Sequence, residues 1–244
     1  LYHDMGLIGF FVAPLFGQFT IDYMATSDFA RRSLMWLRLI SEYQSTIAFS
    51  PTFGYELCAQ RAKTGAAADL DLSSWRVAGI GGDMVRSEVL DRFSEVFAPN
   101  GFRKTTFVPS YGLAESTLAV SFAPLEEVYR EDVVDKAALS IEERAAPAAE
   151  SADPGSCRRF VRCGGAMPEH ELAVWDAQDR PLEERRDGRV MIKGPSVMES
   201  YFNDPEATAL VRRPDGWFDT GDLGYLVDGE IVITGRSKDL IICN

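Results

Sequence analysis

Three short apolar runs at a nearly constant interval constrain this chain more than any other feature. Thr46 to Phe49, Val77 to Ile80 and Thr106 to Pro109 start 31 and 29 residues apart. About thirty residues is the length of a strand, a crossover helix and the return to the next strand, so the interval predicts βα units in a largely parallel sheet. The segments between the runs agree. From Arg86 to Ala98 the apolar residues Val89, Leu90, Phe93, Val96 and Phe97 fall on one helical face. Ser33 to Tyr43 behaves similarly, with Ser33 placed to act as N-cap. The expected fold class is α/β, with a doubly wound, largely parallel sheet region.

After Ala123 the pattern changes. Leu125 to Arg158 is rich in Ala and Glu, contains Pro147 and Pro154, and shows little apolar periodicity. It reads as a short helical insertion plus a mobile loop. From Phe160 the chain reads as β, with short strands at Phe160–Cys163, Glu171–Trp175 and Val190–Lys193. Leu223–Val227 and Glu230–Thr234 flank Asp228-Gly229. That dipeptide accepts positive φ at both turn centres and so predicts a hairpin. The expected organisation is an α/β subdomain over 1–158 with an insertion at about 125–158, then a small β-barrel-like subdomain over 159–235. No internal repeat is present.

Composition excludes some classes of function. The 244 residues are 46% hydrophobic and carry a formal net charge of -12. An acidic surface of that size argues against nucleic acid or anionic membrane as the main partner, although one pocket can differ in sign. Cys58, Cys157, Cys163 and Cys243 show no paired spacing, and His3 and His170 are the only histidines. Reduced thiols in a cytoplasmic protein are expected, with no zinc site. The longest apolar run, Leu7 to Phe16, is too short to span a bilayer. The chain begins at Leu1 within a motif-like run and stops at Asn244 after an apolar stretch, so both ends read as cut.

Four stretches carry candidate chemistry. Tyr2-His3-Asp4-Met5-Gly6-Leu7-Ile8-Gly9 sets a histidine beside a glycine-containing helix start, which can line a carboxylate site. Its plainer reading is an apolar helix with two packing glycines. Gly79-Ile80-Gly81-Gly82-Asp83 follows a strand and precedes a helix, where glycines let backbone approach a ligand closely; it also serves as a tight turn. Ser110-Tyr111-Gly112-Leu113-Ala114-Glu115-Ser116-Thr117 follows the third strand. Tyr111 offers a flat face to a purine, and Glu115 a hard oxygen to Mg²⁺ near a triphosphate. Alternatively, Glu115 sits in the first turn of a helix, where a carboxylate is favourable anyway. Trp217-Phe218-Asp219-Thr220-Gly221-Asp222-Leu223-Gly224 places Asp222 at a glycine turn, where it can accept two ribose hydroxyls. Arg236 in the following Thr234-Gly235-Arg236 is a fixed cation suited to ribose or phosphate. Turn chemistry with a surface ion pair is the plainer alternative.

Taken together, YHDMGLIG, SYGLAEST, WFDTGDLG and TGRSKDLII, in that order and across nearly the whole chain, resemble the adenylate-forming superfamily of acyl-CoA synthetases, adenylation domains and luciferases. The resemblance implies that the chain is part of the large domain of such an enzyme. In that family a carboxylate attacks the α-phosphate of ATP, and the acyl group then passes to a thiol. By the same resemblance Tyr111, with Ser110 and Gly112 beside it, stacks on adenine, and the Gly81-Gly82-Asp83 backbone lies on the other side. Glu115 holds Mg²⁺, Asp222 binds the ribose hydroxyls with help from Arg236, and His3 lies near the acyl carboxylate. Lys238 falls at the hinge to a C-terminal domain, within 236–244, and is read as conformational.

Two features are similar to the fatty acyl-AMP ligases in particular: the wording of YHDMGLIG and the 49 residues from Glu115 to Gly164. Those ligases carry an insertion at this point, thought to restrict domain movement and disfavour CoA. The implied enzyme converts a fatty acid and ATP to acyl-adenylate and pyrophosphate. It then delivers the acyl group to an acyl carrier protein or a carrier domain of a polyketide or peptide synthase. A fatty acyl-CoA synthetase and a non-catalytic adenylate-binding relative are the alternatives, the latter distinguished by whether a lysine follows in a longer chain. The sequence departs from the ligases at Ile80-Gly81-Gly82-Asp83-Met84, where Asn-Gly-Ala-Glu-Pro is usual. Arg189 lies near a usual Glu. The phosphate loop would precede Leu1, and the C-terminal domain with its catalytic lysine would follow Asn244. Without that lysine's electrostatic contribution, this piece alone is expected to have little ligase activity.

Overall fold

The computed structural model describes residues 2–62 and 67–237. The chain packs as two compact units: residues up to Ser110 with Pro124–Tyr129, and Tyr111–Ala123 with the residues from Arg130 onward.

In the first unit a π-helix, Met5–Val12, runs into α1 (Ala13–Gly17), followed by α2 (Thr26–Arg31) and α3 (Leu34–Tyr43). Then β1 (Ile47–Ser50), α4 (Thr52–Arg61), β2 (Val77–Ile80), α5 (Ser87–Phe97) and β3 (Phe107–Gly112) alternate. Ile47 pairs with Val77 and Ala78 with Phe107, both in parallel register. The expected βα repeat is therefore present, with strand starts within a residue of the predicted ones. Ser33 does precede α3, but its backbone is already helical and its side chain makes no cap hydrogen bond. The hydroxyl is buried instead, so packing rather than capping fixes this end.

Aromatic packing holds this unit together. Phe93 of α5 is fully buried, with ring centroids 5.1 Å from Tyr55, 4.5 Å from Phe97, 4.9 Å from Phe102 and 5.9 Å from Phe107. Edge-to-face pairs at these separations add to the gain from burying large apolar area. The two polar ring atoms at the centre are satisfied. Tyr55 Oη donates to the Gly79 carbonyl at 2.8 Å and Trp75 Nε1 to the Val77 carbonyl at 2.8 Å. These bonds tie the cluster to both halves of β2, the strand that leads into Gly81.

The second unit contains β4 (Ala119–Phe122), β5 (Glu131–Asp135), α6 (Lys136–Glu142), β6 (Cys157–Val161), β7 (Gly165–Ala166), β8 (Glu171–Trp175), β9 (Gly188–Lys193), α7 (Pro205–Val211), β10 (Phe218–Val227) and β11 (Glu230–Arg236). The last three strands and β8 form an antiparallel sheet in the order β11-β10-β9-β8. Asp228 and Gly229 join β10 to β11 with φ of 51° and 74°, as the dipeptide predicted.

Leu125–Arg158 corrects the expectation of a helical insertion with a mobile loop. Glu131–Asp135 is a strand, paired antiparallel with Cys157–Val161. Val134, Leu139, Ala145 and Phe160 share one buried cluster with Tyr225, Val227 and Val232. The periodicity was hidden because only alternate residues of one short strand and two positions of a seven-residue helix face inward. The Asp132 carboxylate is buried with Tyr225 Oη donating at 2.7 Å and Arg185 donating through both terminal nitrogens at 3.2 and 3.1 Å. Such a carboxylate is tolerated only when paired and hydrogen-bonded. The chain accordingly enters the second unit at Tyr111 and again at Arg130, whereas the sequence reading drew its boundary near 159.

Cys58, Cys157 and Cys163 are free, and Cys243 lies outside the described residues. Among the described residues no helix is long and apolar enough to cross a membrane. Phe93→Ala should lower the unfolding free energy by about 3–5 kcal/mol in urea titration, and Phe93→Leu by distinctly less.

Candidate functional site

In the second unit the site is built on a bulge. Between the pairs Asp219↔Met191 and Leu223↔Arg189, β10 advances four residues while β9 advances two. The surplus is taken up at Thr220–Asp222, where Gly221 has φ of 73°. Two side chains brace the bulge: Asp219 Oδ1 accepts from Gly221 N at 3.0 Å, and Thr220 Oγ1 accepts from Asp222 N at 3.1 Å. A bulge re-aims a side chain that a regular strand would point elsewhere. Asp222 thus lies within a strand and not at the turn its flanking glycines suggested.

Asp222 is directly opposite Arg236 on β11, and Arg236 Nε donates to Oδ1 at 3.1 Å. From the other side Tyr111 Oη donates to Oδ2 at 2.7 Å. Asp222 is 7% exposed and Tyr111 is buried, while the Arg236 side chain is 72% exposed. Burial pushes the Asp222 carboxyl above its ordinary range, and the hydrogen bond from Tyr111 and the charge of Arg236 offset only part of that; the nearby Glu115 carboxylate pushes the same way as burial. Burial, followed by the Asp222 charge, holds the Tyr111 phenol well above its usual value, so the proton of this pair stays on tyrosine.

Tyr111 and Gly112 are the last residues of β3, which runs three residues past its predicted end. The chain then folds back sharply. Leu118 N donates to the Ser116 carbonyl at 2.8 Å across Thr117, whose φ of 70° and ψ of -52° are strained for a β-branched residue. The returning backbone lies so close that a Cβ on Gly112 would meet the Leu118 oxygen at 1.9 Å. Only glycine fits there. Glu115 sits at the crest of this fold, in a single 3₁₀ turn, Ala114–Ser116, and not at the start of an α-helix. Tyr201 Oη donates to Glu115 Oε1 at 2.9 Å, and Met198 N donates to the Glu115 carbonyl at 2.7 Å. Sequence reasoning missed Tyr201, because nothing local connects Ser200-Tyr201-Phe202 with a carboxylate 86 positions earlier. Among the described residues no three His, Cys, Asp or Glu side chains group as a metal cage. A cation at Glu115 would therefore take its other ligands from phosphate oxygens and water. That suits Mg²⁺, which dehydrates reluctantly and takes one or two carboxylates beside phosphates.

The first unit holds the remaining candidates. A Cβ on Gly81 would lie 2.7 Å from the Ser110 oxygen and 2.8 Å from its Oγ, so the close approach of the β2 and β3 ends requires glycine. Ser110 Oγ donates to the Ile80 carbonyl at 3.2 Å. Gly82 has φ of 74°, Asp83 is exposed and its Oδ1 accepts from Met84 N at 2.7 Å, and Thr52 Oγ1 pins the Met84 carbonyl at 2.8 Å. His3 is exposed, its Nδ1 beside the Asp4 carboxylate and accepting from Met5 N at 3.2 Å. Its carbonyl receives Leu7 N at 2.8 Å, at the start of the π-helix. Arg189, the departure noted in the sequence, donates to Asp219 at 2.7 Å and to Asp179 at 2.5 Å. Lys238 lies outside the described residues.

A largely parallel α/β unit, followed by a β unit whose bulged strand aims a carboxylate at a buried tyrosine and a cross-strand arginine, defines a class of nucleotide-handling protein. The chain belongs to the AMP-binding enzyme family, whose profile matches residues 1–202. It is 52% identical, over its full length and 42% of the relative's, to a protein of Caulobacter vibrioides provisionally named an acyl-CoA synthetase. It is 36% identical to a medium-chain-fatty-acid–[acyl-carrier-protein] ligase of Teredinibacter turnerae, over 99% of this chain and 39% of that one. Among solved structures, one from work on fatty acyl-adenylate ligases of E. coli and L. pneumophila superposes with a TM-score of 0.93 at 45% identity, covering 100% of this chain and 43% of that chain. The fatty acyl-adenylate ligase from L. pneumophila in complex with acyl adenylate and pyrophosphate gives 0.92 at 35% identity, covering 99% and 43%. The chain thus spans about two fifths of the length of the relatives it matches.

Because the native Asp222 carboxyl binds its proton more tightly than the unfolded chain does, ionising it costs the native state stability as pH rises through the native pKa. Asp222→Asn removes that dependence. The difference in unfolding free energy between Asp222→Asn and wild type should therefore move in favour of the variant between about pH 3.5 and pH 7, read by tryptophan fluorescence in urea.

Proposed function

We propose that the whole protein activates a fatty acid with ATP and Mg²⁺, giving acyl-adenylate and pyrophosphate, and then transfers the acyl group to a carrier-protein thiol. The observation that carries this reading is the Tyr111–Asp222–Arg236 chain on the bulged strand. Support comes from relatives named as fatty-acid–[acyl-carrier-protein] ligases and from the matching ligase that binds acyl adenylate and pyrophosphate.

In this proposal Asp222 accepts the two ribose hydroxyls. Tyr111 fixes its carboxylate and presents a ring to adenine, and Arg236 supplies a fixed positive charge beside the sugar. Glu115 offers one oxygen to Mg²⁺, which when bound offsets the charge of the triphosphate. A carboxylate oxygen of the fatty acid attacks the α-phosphorus, and the bond to pyrophosphate breaks. Thiol attack on the acyl carbon then releases AMP. For Gly81, Gly82, Asp83, Ser110 and Gly112 we propose backbone contacts to the nucleotide, for His3 a place near the acyl carboxylate, and for Lys238 a hinge. These assignments rest on the motifs in which the residues stand.

The 52% identical relative favours a second reading, a fatty acyl-CoA synthetase of the same fold. Full-length protein supplied with ATP, Mg²⁺, fatty acid and either CoA or a phosphopantetheinylated carrier protein separates the two. Acyl-AMP that persists with CoA and is consumed by the carrier is the expected result; rapid acyl-CoA formation would replace the first reading with the second. Asp222→Ala should weaken ATP binding about tenfold or more, since hydrogen bonds to a charged group contribute about 1.5–3 kcal/mol. Unchanged affinity by calorimetry would remove the ribose assignment.

A further inference from the structure

We propose that Tyr201 is the positioning residue for the metal-binding carboxylate, fixing Glu115 so that one oxygen stays open to the cation. The proposal rests on the reading of Glu115 above and goes beyond it, since nothing in the four motifs includes Tyr201. Two contacts from one short segment grip Glu115: Met198 N on its carbonyl at 2.7 Å and Tyr201 Oη on Oε1 at 2.9 Å. A third, Thr117 Oγ1 donating to the Ser196 carbonyl at 3.0 Å, ties the strained turn to the same segment.

The segment is itself braced. Tyr201 N donates to Thr208 Oγ1 at 3.0 Å, and Thr208 Oγ1 donates to the Asp204 carbonyl at 2.7 Å, near the start of α7. Asp204 caps that helix by accepting from Ala207 N at 2.9 Å. The phenol is thus carried on a loop with few ways to move. Glu115 is a long side chain on a single 3₁₀ turn, and unheld it would sample several rotamers at an entropic cost to metal binding. A donor on Oε1 selects one of them and leaves Oε2 for the cation, which is how outer partners orient carboxylate ligands elsewhere.

The test is calorimetric binding of ATP to the full-length protein without fatty acid, with and without Mg²⁺. Wild type should gain affinity when Mg²⁺ is added. Tyr201→Phe should lose about tenfold of that gain while keeping the metal-free affinity, and Glu115→Gln should abolish the gain. Adding Tyr201→Phe to Glu115→Gln should then change nothing further. Thr208→Ala removes the brace on the Tyr201 backbone and should lose part of the Mg²⁺ gain, less than Tyr201→Phe does, again with the metal-free affinity kept. A full Mg²⁺ gain in Tyr201→Phe, or a loss of metal-free affinity as large as the loss of the gain, overturns the positioning role while the reading of Glu115 survives. A gain that persists in Glu115→Gln overturns the metal assignment itself, and the role of Tyr201 with it.

Discussion

A carboxylate taken out of water has to be dehydrated without being left alone. Asp222 meets both demands through strand geometry. The bulge turns it inward, the opposite position on β11 supplies Arg236, and the end of β3 supplies a phenol. Desolvation still outweighs the two donors, which is why its acidity is weakened. A group in that state gains from any further hydrogen-bond donor. The bulge matters because it is made by backbone. Loss of one donor weakens the site, whereas loss of the bulge would send the carboxylate to another face of the sheet.

Glu115 is held by different means. Its turn folds back over Gly112 so closely that no side chain fits at that glycine, and Thr117 takes a backbone conformation that β-branched residues avoid. Such strain persists only where the surroundings determine it fully. The main-chain and side-chain bonds from Ser196 to Tyr201 provide that determination. The glycines of the motif are therefore structural first: Gly112 for closure and Gly81 for the approach of two strand ends. Their value to a ligand follows from that closeness.

Much of this was legible in the sequence, and the limits have physical causes. The βα interval located β1, β2 and β3, because β2 and β3 are largely buried along their length and leave continuous apolar runs, and β1 follows at the same spacing. Asp228-Gly229 located the hairpin, because few dipeptides accept positive φ twice. Tyr111, Asp222 and Arg236 were legible as motif members, but their mutual contacts were not. Register between β10 and β11, and a bulge two residues deep, are set by pairing across the sheet and leave no local mark. Tyr201 was invisible for the same reason, being joined to Glu115 only in space. The N-cap at Ser33 failed because its backbone already has helical dihedrals, which turn the hydroxyl away from the first free N–H groups of the helix.

The β5–α6–β6 segment reads in sequence as a short helical insertion with a mobile loop, yet Val134, Leu139 and Phe160 share a buried cluster with Tyr225 and Val232, and Asp132 receives the Tyr225 hydroxyl. β10, which carries Asp222, also carries Tyr225 three residues later. Excising the segment would therefore strip one wall from the strand that carries Asp222. A deletion of this kind would disturb the surroundings of Asp222 even though no residue of the segment touches it in the hydrogen bonds described above.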